Sequence, residues 1–166
     1  MFAPEILTLA ETVLREARNR SLKLATAESC TGGLIASALT AISGSSDVFE
    51  CSFVVYSNRA KAELLDVPRA IIAEYGAVSA ETACIMADRA LAHSPADIAV
   101  SCTGIAGPGG GSETKPVGLV YLALARRGIA TGHLECRFGA LSRDEIRMKT
   151  VVAALQLVFE AIRASS

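Results

Sequence analysis

The apolar residues of this chain change period repeatedly, and that alternation constrains the fold more than any single motif. Residues 4 to 19 place Ile6, Ala10, Val13, Leu14 and Ala17 on one helical face, with charges opposite. Residues 22 to 27 (Leu-Lys-Leu-Ala-Thr-Ala) read as a short strand. The turn Glu28-Ser29-Cys30-Thr31-Gly32-Gly33 then leads into a helix to about residue 42. Its face is Leu34, Ile35, Ala38, Leu39 and Ile42, with Gly44 where a stop belongs. Phe49 to Tyr56 is β-rich and reads as a buried strand. Ser57 or Asn58 can cap a short helix carrying Lys61, Leu64 and Leu65. A Pro68-initiated helix ends at Tyr75-Gly76, Ser79 opens another to about residue 92, and Asp97 to Cys102 reads as a buried strand. Val117 to Ala125 and Ile129 to Phe138 read as strands joined by Arg126-Arg127-Gly128, short enough for an antiparallel hairpin. A last helix is expected from about Ser142 to Ala164, with Met148, Val152, Leu155, Phe159 and Ile162 inward. The order predicts one α/β domain over residues 1–166. It should be a three-layer α/β/α sandwich around a mixed, mostly parallel sheet with one antiparallel hairpin.

Composition narrows the function classes. Apolar residues make up 51% and charged residues 20%, which argues against disorder. The formal net charge of −1 lacks the basic footprint of a nucleic-acid binder. No run of about 18 apolar residues predicts a membrane span. The start Met1-Phe2-Ala3-Pro4-Glu5 lacks the basic and apolar regions of a signal peptide. The five cysteines (Cys30, Cys51, Cys84, Cys102 and Cys136) are odd in number and form no C-x-x-C. They read as reduced thiols in a cytoplasmic protein without a disulfide framework or metal site.

Four segments carry candidate chemistry. The turn Glu28 to Gly33 lies at the carboxyl end of a strand, where open α/β sheets bind ligands. Its glycines permit close backbone approach, and free N–H groups at a helix start can hold an anion or a developing oxyanion. A plain helix cap is the simpler reading of Ser29. A catalytic serine needs a base. Histidine is the usual one, yet His93 and His133 adjoin no site-like loop, which argues against a Ser-His-Asp triad. Among the four lysines, Lys61 and Lys115 lie in site-like segments, whereas Lys23 precedes a strand and Lys149 lies in the last helix. A lysine acts as a base only when burial or a nearby cation lowers its pKa. Tyr56, at a strand end, could relay a proton or hold that lysine, or simply pack on the core.

The third segment, Thr103 to Pro116, resembles a phosphate cradle. It is not a Walker A loop, because Lys115 is followed by Pro116 and a strand comes next. An irregular stretch this long in a compact domain is more often functional or disordered than idle. The fourth is Ser142-Arg143-Asp144 with Arg147 one turn on, which could bind a phosphate or carboxylate or remain solvated.

Together these segments resemble the CinA C-terminal domain family, which includes nicotinamide mononucleotide deamidases. The matching stretches are Ala27-Glu-Ser-Cys-Thr-Gly-Gly33, Gly44-Ser-Ser46, Tyr56-Ser-Asn-x-x-Lys61, Gly76-Ala-Val-Ser79, Gly104-Ile-Ala-Gly-Pro108 and Lys115-Pro-Val-Gly118. They keep the family's order and cover nearly the whole chain. The resemblance implies an α/β/α fold, usually dimeric, and an amidase that needs no metal or cofactor and acts on a small nucleotide. It places the catalytic serine, tyrosine and lysine on Ser29, Tyr56 and Lys61. It places substrate contacts on Cys30, Thr31, Gly32 and Gly33, on Thr103, Gly104, Ala106 and Gly107 of the glycine-rich loop, and on Arg143. Relatives often carry an N-terminal domain resembling molybdopterin-binding proteins, which this chain is expected to lack. Two rival readings remain at this level. Cys30 could be the nucleophile, or the chain could be a non-catalytic nucleotide-binding or interaction module.

Overall fold

A computed structural model describes residues 2–164. In chain order the elements are α1 (Pro4–Asn19), β1 (Leu24–Glu28), α2 (Leu34–Thr40), β2 (Phe49–Val54), α3 (Asn58–Leu64), α4 (Arg69–Tyr75), α5 (Ala80–Ala92), β3 (Ile98–Gly104), β4 (Leu119–Arg126), β5 (Ile129–Arg137) and α6 (Arg143–Arg163). A 3₁₀ turn, Ser45–Asp47, precedes β2. The sheet order is β2-β1-β3-β4-β5. β1 pairs in parallel with β2 and β3, while β3–β4 and β4–β5 are antiparallel. The expected mixed α/β/α architecture is present.

Alternation along β1 and β3 divides the core in two. Leu24, Ile98, Val100 and Cys102 face α1, α2 and α6, joined by Val120 and Leu122 of β4. Ala25, Ala27, Ala99, Ala123 and Ala125 face the other way, against Ala83, Met86, Ala87 and Ala90 of α5. Side chains this small on both surfaces let α5 sit close to the sheet. The Ser101 hydroxyl reaches Ala83 O of the helix at 2.6 Å. Larger residues there would overpack the layer at about 1–3 kcal/mol each.

Three expectations are corrected. The run Phe49 to Tyr56 forms an edge strand paired only with β1, so it is half-exposed rather than buried, and Tyr56 projects into solvent. β3 continues through Thr103 and Gly104, which pair with Tyr121 and Val120 and so belong to the sheet rather than the loop. The inward stripe of α6 is Ile146, Thr150, Val151, Ala154, Leu155, Val158 and Ile162. Met148, Val152 and Phe159 flank it, partly buried, because the helix lies in the trough between α1 and the sheet and uses a broad face.

Candidate active site

Parallel pairing of β1 with both β2 and β3 brings three strand carboxyl ends to one edge of the molecule. Val55 N donates to Glu28 O (2.9 Å) and Ser29 N to Cys102 O (3.1 Å), extending both ladders by one residue. Ser29 therefore emerges between the ends of β2 and β3. Beyond Tyr56 the chain turns into α3, where the Ser57 hydroxyl caps Ala60 N at 3.0 Å. That cap starts the helix so that Lys61, one turn in, points back beneath the end of β2.

Lys61 is 1% exposed, extraordinary for a lysine. Its Nζ lies 2.9 Å from Ser29 Oγ, 3.0 Å from Val55 O and 3.3 Å from Tyr56 O. No carboxylate forms an ion pair with it among the described residues. Burial lowers its pKa from the ordinary 10.5, outweighing the opposing influence of Cys30 and Cys102. Nζ donates to all three oxygens. Carbonyl oxygens only accept, so in a neutral amine Val55 O and Tyr56 O would keep the two N–H hydrogens, and the freed lone pair would face the one partner that can donate, the Ser29 hydroxyl.

Glu28 is fully buried, and its carboxylate serves the turn instead of the lysine. It accepts from Thr31 Oγ1 (2.6 Å), Thr26 Oγ1 (3.2 Å), Gly33 N (3.1 Å), Ile35 N (3.0 Å) and Ala36 N (2.8 Å). The expected free anion hole at the start of α2 is therefore filled by the chain's own carboxylate. Gly32 N and Leu34 N are held by Ser29 O and Thr31 O, which leaves the N–H groups of Cys30 and Thr31 in this turn. Gly32 and Gly33 adopt left-handed conformations (φ 62° and 98°), so they are glycine because the turn must fold back onto Glu28.

A cavity of about 180 Å³ opens in front of Ser29. Of the residues singled out from the sequence, Ser29, Cys30, Tyr56, Lys61, Thr103, Gly104, Ala106 and Arg143 line it. Thr31, Gly32, Gly33 and Gly107 do not. The Thr31 hydroxyl points to Glu28 and Cys102, and its carbonyl takes Arg147 Nη2 at 2.9 Å. Gly107 contributes its carbonyl to Arg143 Nη1 at 2.9 Å. Arg143 Nη2 donates to the Tyr56 phenol oxygen (2.7 Å), so that phenol sits on the arginine and not between Ser29 and Lys61. The Cys30 thiol is pushed well above the usual range by its hydrogen bond with Cys102 and by burial, which keeps it protonated.

Asn58, Ala77 and Val78 complete the lining and were not singled out. Asn58 lies one helical turn before Lys61, a spacing that puts both on one face, so it was discoverable. Ala77 and Val78 carry no chemical signal beyond their place in the Gly76-Ala-Val-Ser79 stretch. Among the described residues, no cluster of His, Cys, Asp or Glu is arranged to hold a metal ion. No described helix is long and apolar enough to cross a membrane.

The fold and cleft define a class: an α/β/α protein that buries an unpaired lysine against a serine at the carboxyl ends of its parallel strands. The chain belongs to the CinA C-terminal domain family, whose model matches residues 6–162. It is 45% identical over 157 residues to the nicotinamide-nucleotide amidohydrolase PncC of Escherichia coli strain K12, with 94% of each chain covered. A CinA-like protein of Synechococcus sp. strain RCC307 is 51% identical over 152 residues, 91% of this chain. The chain spans only 36% of that relative's length, and 37% of a comparable one from Caldicellulosiruptor bescii. The crystal structure of competence/damage inducible protein CihA from Agrobacterium tumefaciens superposes with a TM-score of 0.95 at 48% identity, covering 98% of both chains.

Proposed function

We propose that this chain hydrolyses the carboxamide of nicotinamide mononucleotide, giving nicotinic acid mononucleotide and ammonia through an acyl-enzyme on Ser29. The carrying observation is the buried, unpaired Lys61 amine 2.9 Å from the Ser29 hydroxyl. The E. coli relative, named for this amide hydrolysis and matched over 94% of each chain, supports the choice of substrate.

The Ser29 proton passes to neutral Lys61 Nζ as Oγ bonds to the carboxamide carbon. The carbonyl oxygen becomes an oxyanion, for which the N–H groups of Cys30 and the loop at Ala106 are the available donors. Each such donor typically contributes about 3 kcal/mol. The Lys61 ammonium then returns its proton to the departing nitrogen, and ammonia leaves. Water attacks the resulting ester with Lys61 again as base, releasing the carboxylic acid and restoring Ser29. The direct Ser29–Lys61 contact leaves Tyr56 to hold Arg143 at the cleft rim.

The test is incubation of the purified protein with nicotinamide mononucleotide, measuring ammonia and the acid product together. Equimolar appearance of both is expected. Binding without ammonia would favour the non-catalytic module instead. A thiol mechanism is tested separately. Cys30→Ala is expected to keep turnover within about threefold, since a buried protonated thiol is a poor nucleophile. Loss of a hundredfold or more in that variant would reassign the nucleophile.

A further inference from the structure

The glycine-rich loop after β3 is tethered on two sides by long cationic side chains that both end on backbone carbonyls. On one side Arg143 reaches Gly107 O. On the other, Lys115 Nζ donates to Tyr75 O at 2.6 Å. Lys115 is not among the cleft-lining residues, so it is not placed to touch a ligand. We propose that Lys115 is a positioning residue that latches the loop to the α4–α5 connection, so that the two walls of the cleft hold the nucleotide as one unit. The substrate part of this inference rests on the amidase reading above.

Tyr75 is the last residue of α4, and its carbonyl is one of those a helix end leaves unpaired, where a cation is favoured. The next two residues are each fixed by hydrogen bonding. Gly76 O accepts from Ser79 Oγ (3.0 Å) and Thr82 Oγ1 (2.8 Å), and Ala77 O accepts from Thr103 Oγ1 (2.7 Å). Ala77 and Val78 then face the cleft. Gly76 has φ +87°, and a Cβ there would lie 2.8 Å from Lys115 Nζ, so the glycine also makes room for the latch.

On the loop side, Lys115 is built into a turn. Ser112 N donates to Lys115 O (2.8 Å), and Lys115 N donates to Ser112 Oγ (3.0 Å). The loop base is closed independently, by Ile105 N to Leu119 O (2.9 Å) and Gly118 N to Ile105 O (2.8 Å). Breaking the latch should therefore free the tip and leave the base intact.

The experiment is Lys115→Met, which keeps the side-chain length and removes the donor, with Lys115→Arg as the conservative variant. Amide hydrogen exchange of the ligand-free protein needs no substrate. Exchange at Ser112 and at position 115 should quicken about tenfold, the worth of one charge-assisted hydrogen bond, while Ile105 and Gly118 stay unchanged. With nicotinamide mononucleotide, KM should rise about tenfold, kcat should stay within twofold, the pH profile should not move, and arginine should restore most of the difference. Unchanged exchange at the tip overturns the proposal whatever the kinetics. So does a collapse of kcat with a shifted pH profile, which would put Lys115 in the chemical step. If the wild-type protein releases no ammonia, the amidase reading fails while the exchange result still decides the latch.

Discussion

Lys61→Met is expected to lower kcat by about a thousandfold or more, and Ser29→Ala to lower it comparably. The pair acts as one device: the hydroxyl is inert without a base, and the base has nothing else to deprotonate. The double variant should therefore be no worse than either single one, a failure of additivity that marks groups working together. Lys61→Arg should not rescue, because a guanidinium stays charged at any accessible pH and has no lone pair to offer. Steady-state ammonia release measures all four proteins. If the two losses instead multiply in the double variant, serine and lysine act independently and the proposed step is wrong.

The same lysine sets a pH dependence whose sign can be worked out. Burial depresses its pKa below 10.5 in the folded chain, while the unfolded chain keeps the ordinary value. Activity needs the neutral amine, so kcat should fall as pH drops through the depressed value, and Lys61→Met should abolish that limb. Between the depressed value and 10.5 the unfolded chain binds one more proton than the folded one. The contribution of Lys61 to stability therefore rises with pH across that window, by up to about 1.4 kcal/mol per pH unit. Below the depressed value both states are protonated and the slope vanishes. Denaturant unfolding at several pH values should show the slope in the difference between the wild type and Lys61→Met, since the raised thiols such as Cys30 titrate in both.

Much of this was legible in the chain, and the parts that were not have identifiable causes. The alternation of helical and β-period segments located every element to within a few residues, because each period is a local property. The edge position of β2 was hidden, since Phe49 to Tyr56 is as apolar as a central strand and strand order is decided by long-range pairing. The α6 stripe was misread because residues 151 to 155 (Val-Val-Ala-Ala-Leu) are apolar all round and give the period no contrast. Ser29 and Lys61 could be proposed as partners by eliminating histidine and by family resemblance. Their contact depends on β1 and β2 lying side by side. Glu28 is the sharper case. Its position before the turn allows either a salt bridge to Lys61 or a cap on α2, and the sequence does not choose. Two left-handed glycines choose, by folding α2 back over the carboxylate.

That choice makes Glu28 the most sensitive structural position near the site, and Glu28→Gln is expected to destabilise the fold by about 3 kcal/mol. Two effects oppose each other. A neutral amide removes the cost of burying a charge, which is several kcal/mol per ion and by itself would stabilise the variant. Against this stand five hydrogen bonds to the carboxylate, three from backbone N–H groups of α2 and the turn before it. Bonds to a charged acceptor contribute about 1.5–3 kcal/mol each, and the helix N-terminus adds up to about 2. These five donors outweigh the burial cost. Glutamine keeps one oxygen, best placed where Thr31, Gly33 and Ile35 converge. Its NH₂ then faces the Ala36 N–H, donor against donor. For a chain this long, about 3 kcal/mol lowers the melting temperature by roughly 6–12 °C. Ser29, the next residue, should lose its alignment with Lys61, so kcat should fall at temperatures where the variant is still folded. A melting temperature equal to or above that of the wild type would mean that the desolvation cost of the carboxylate dominates. Glu28 would then be retained for the chemistry of its neighbour at the expense of stability.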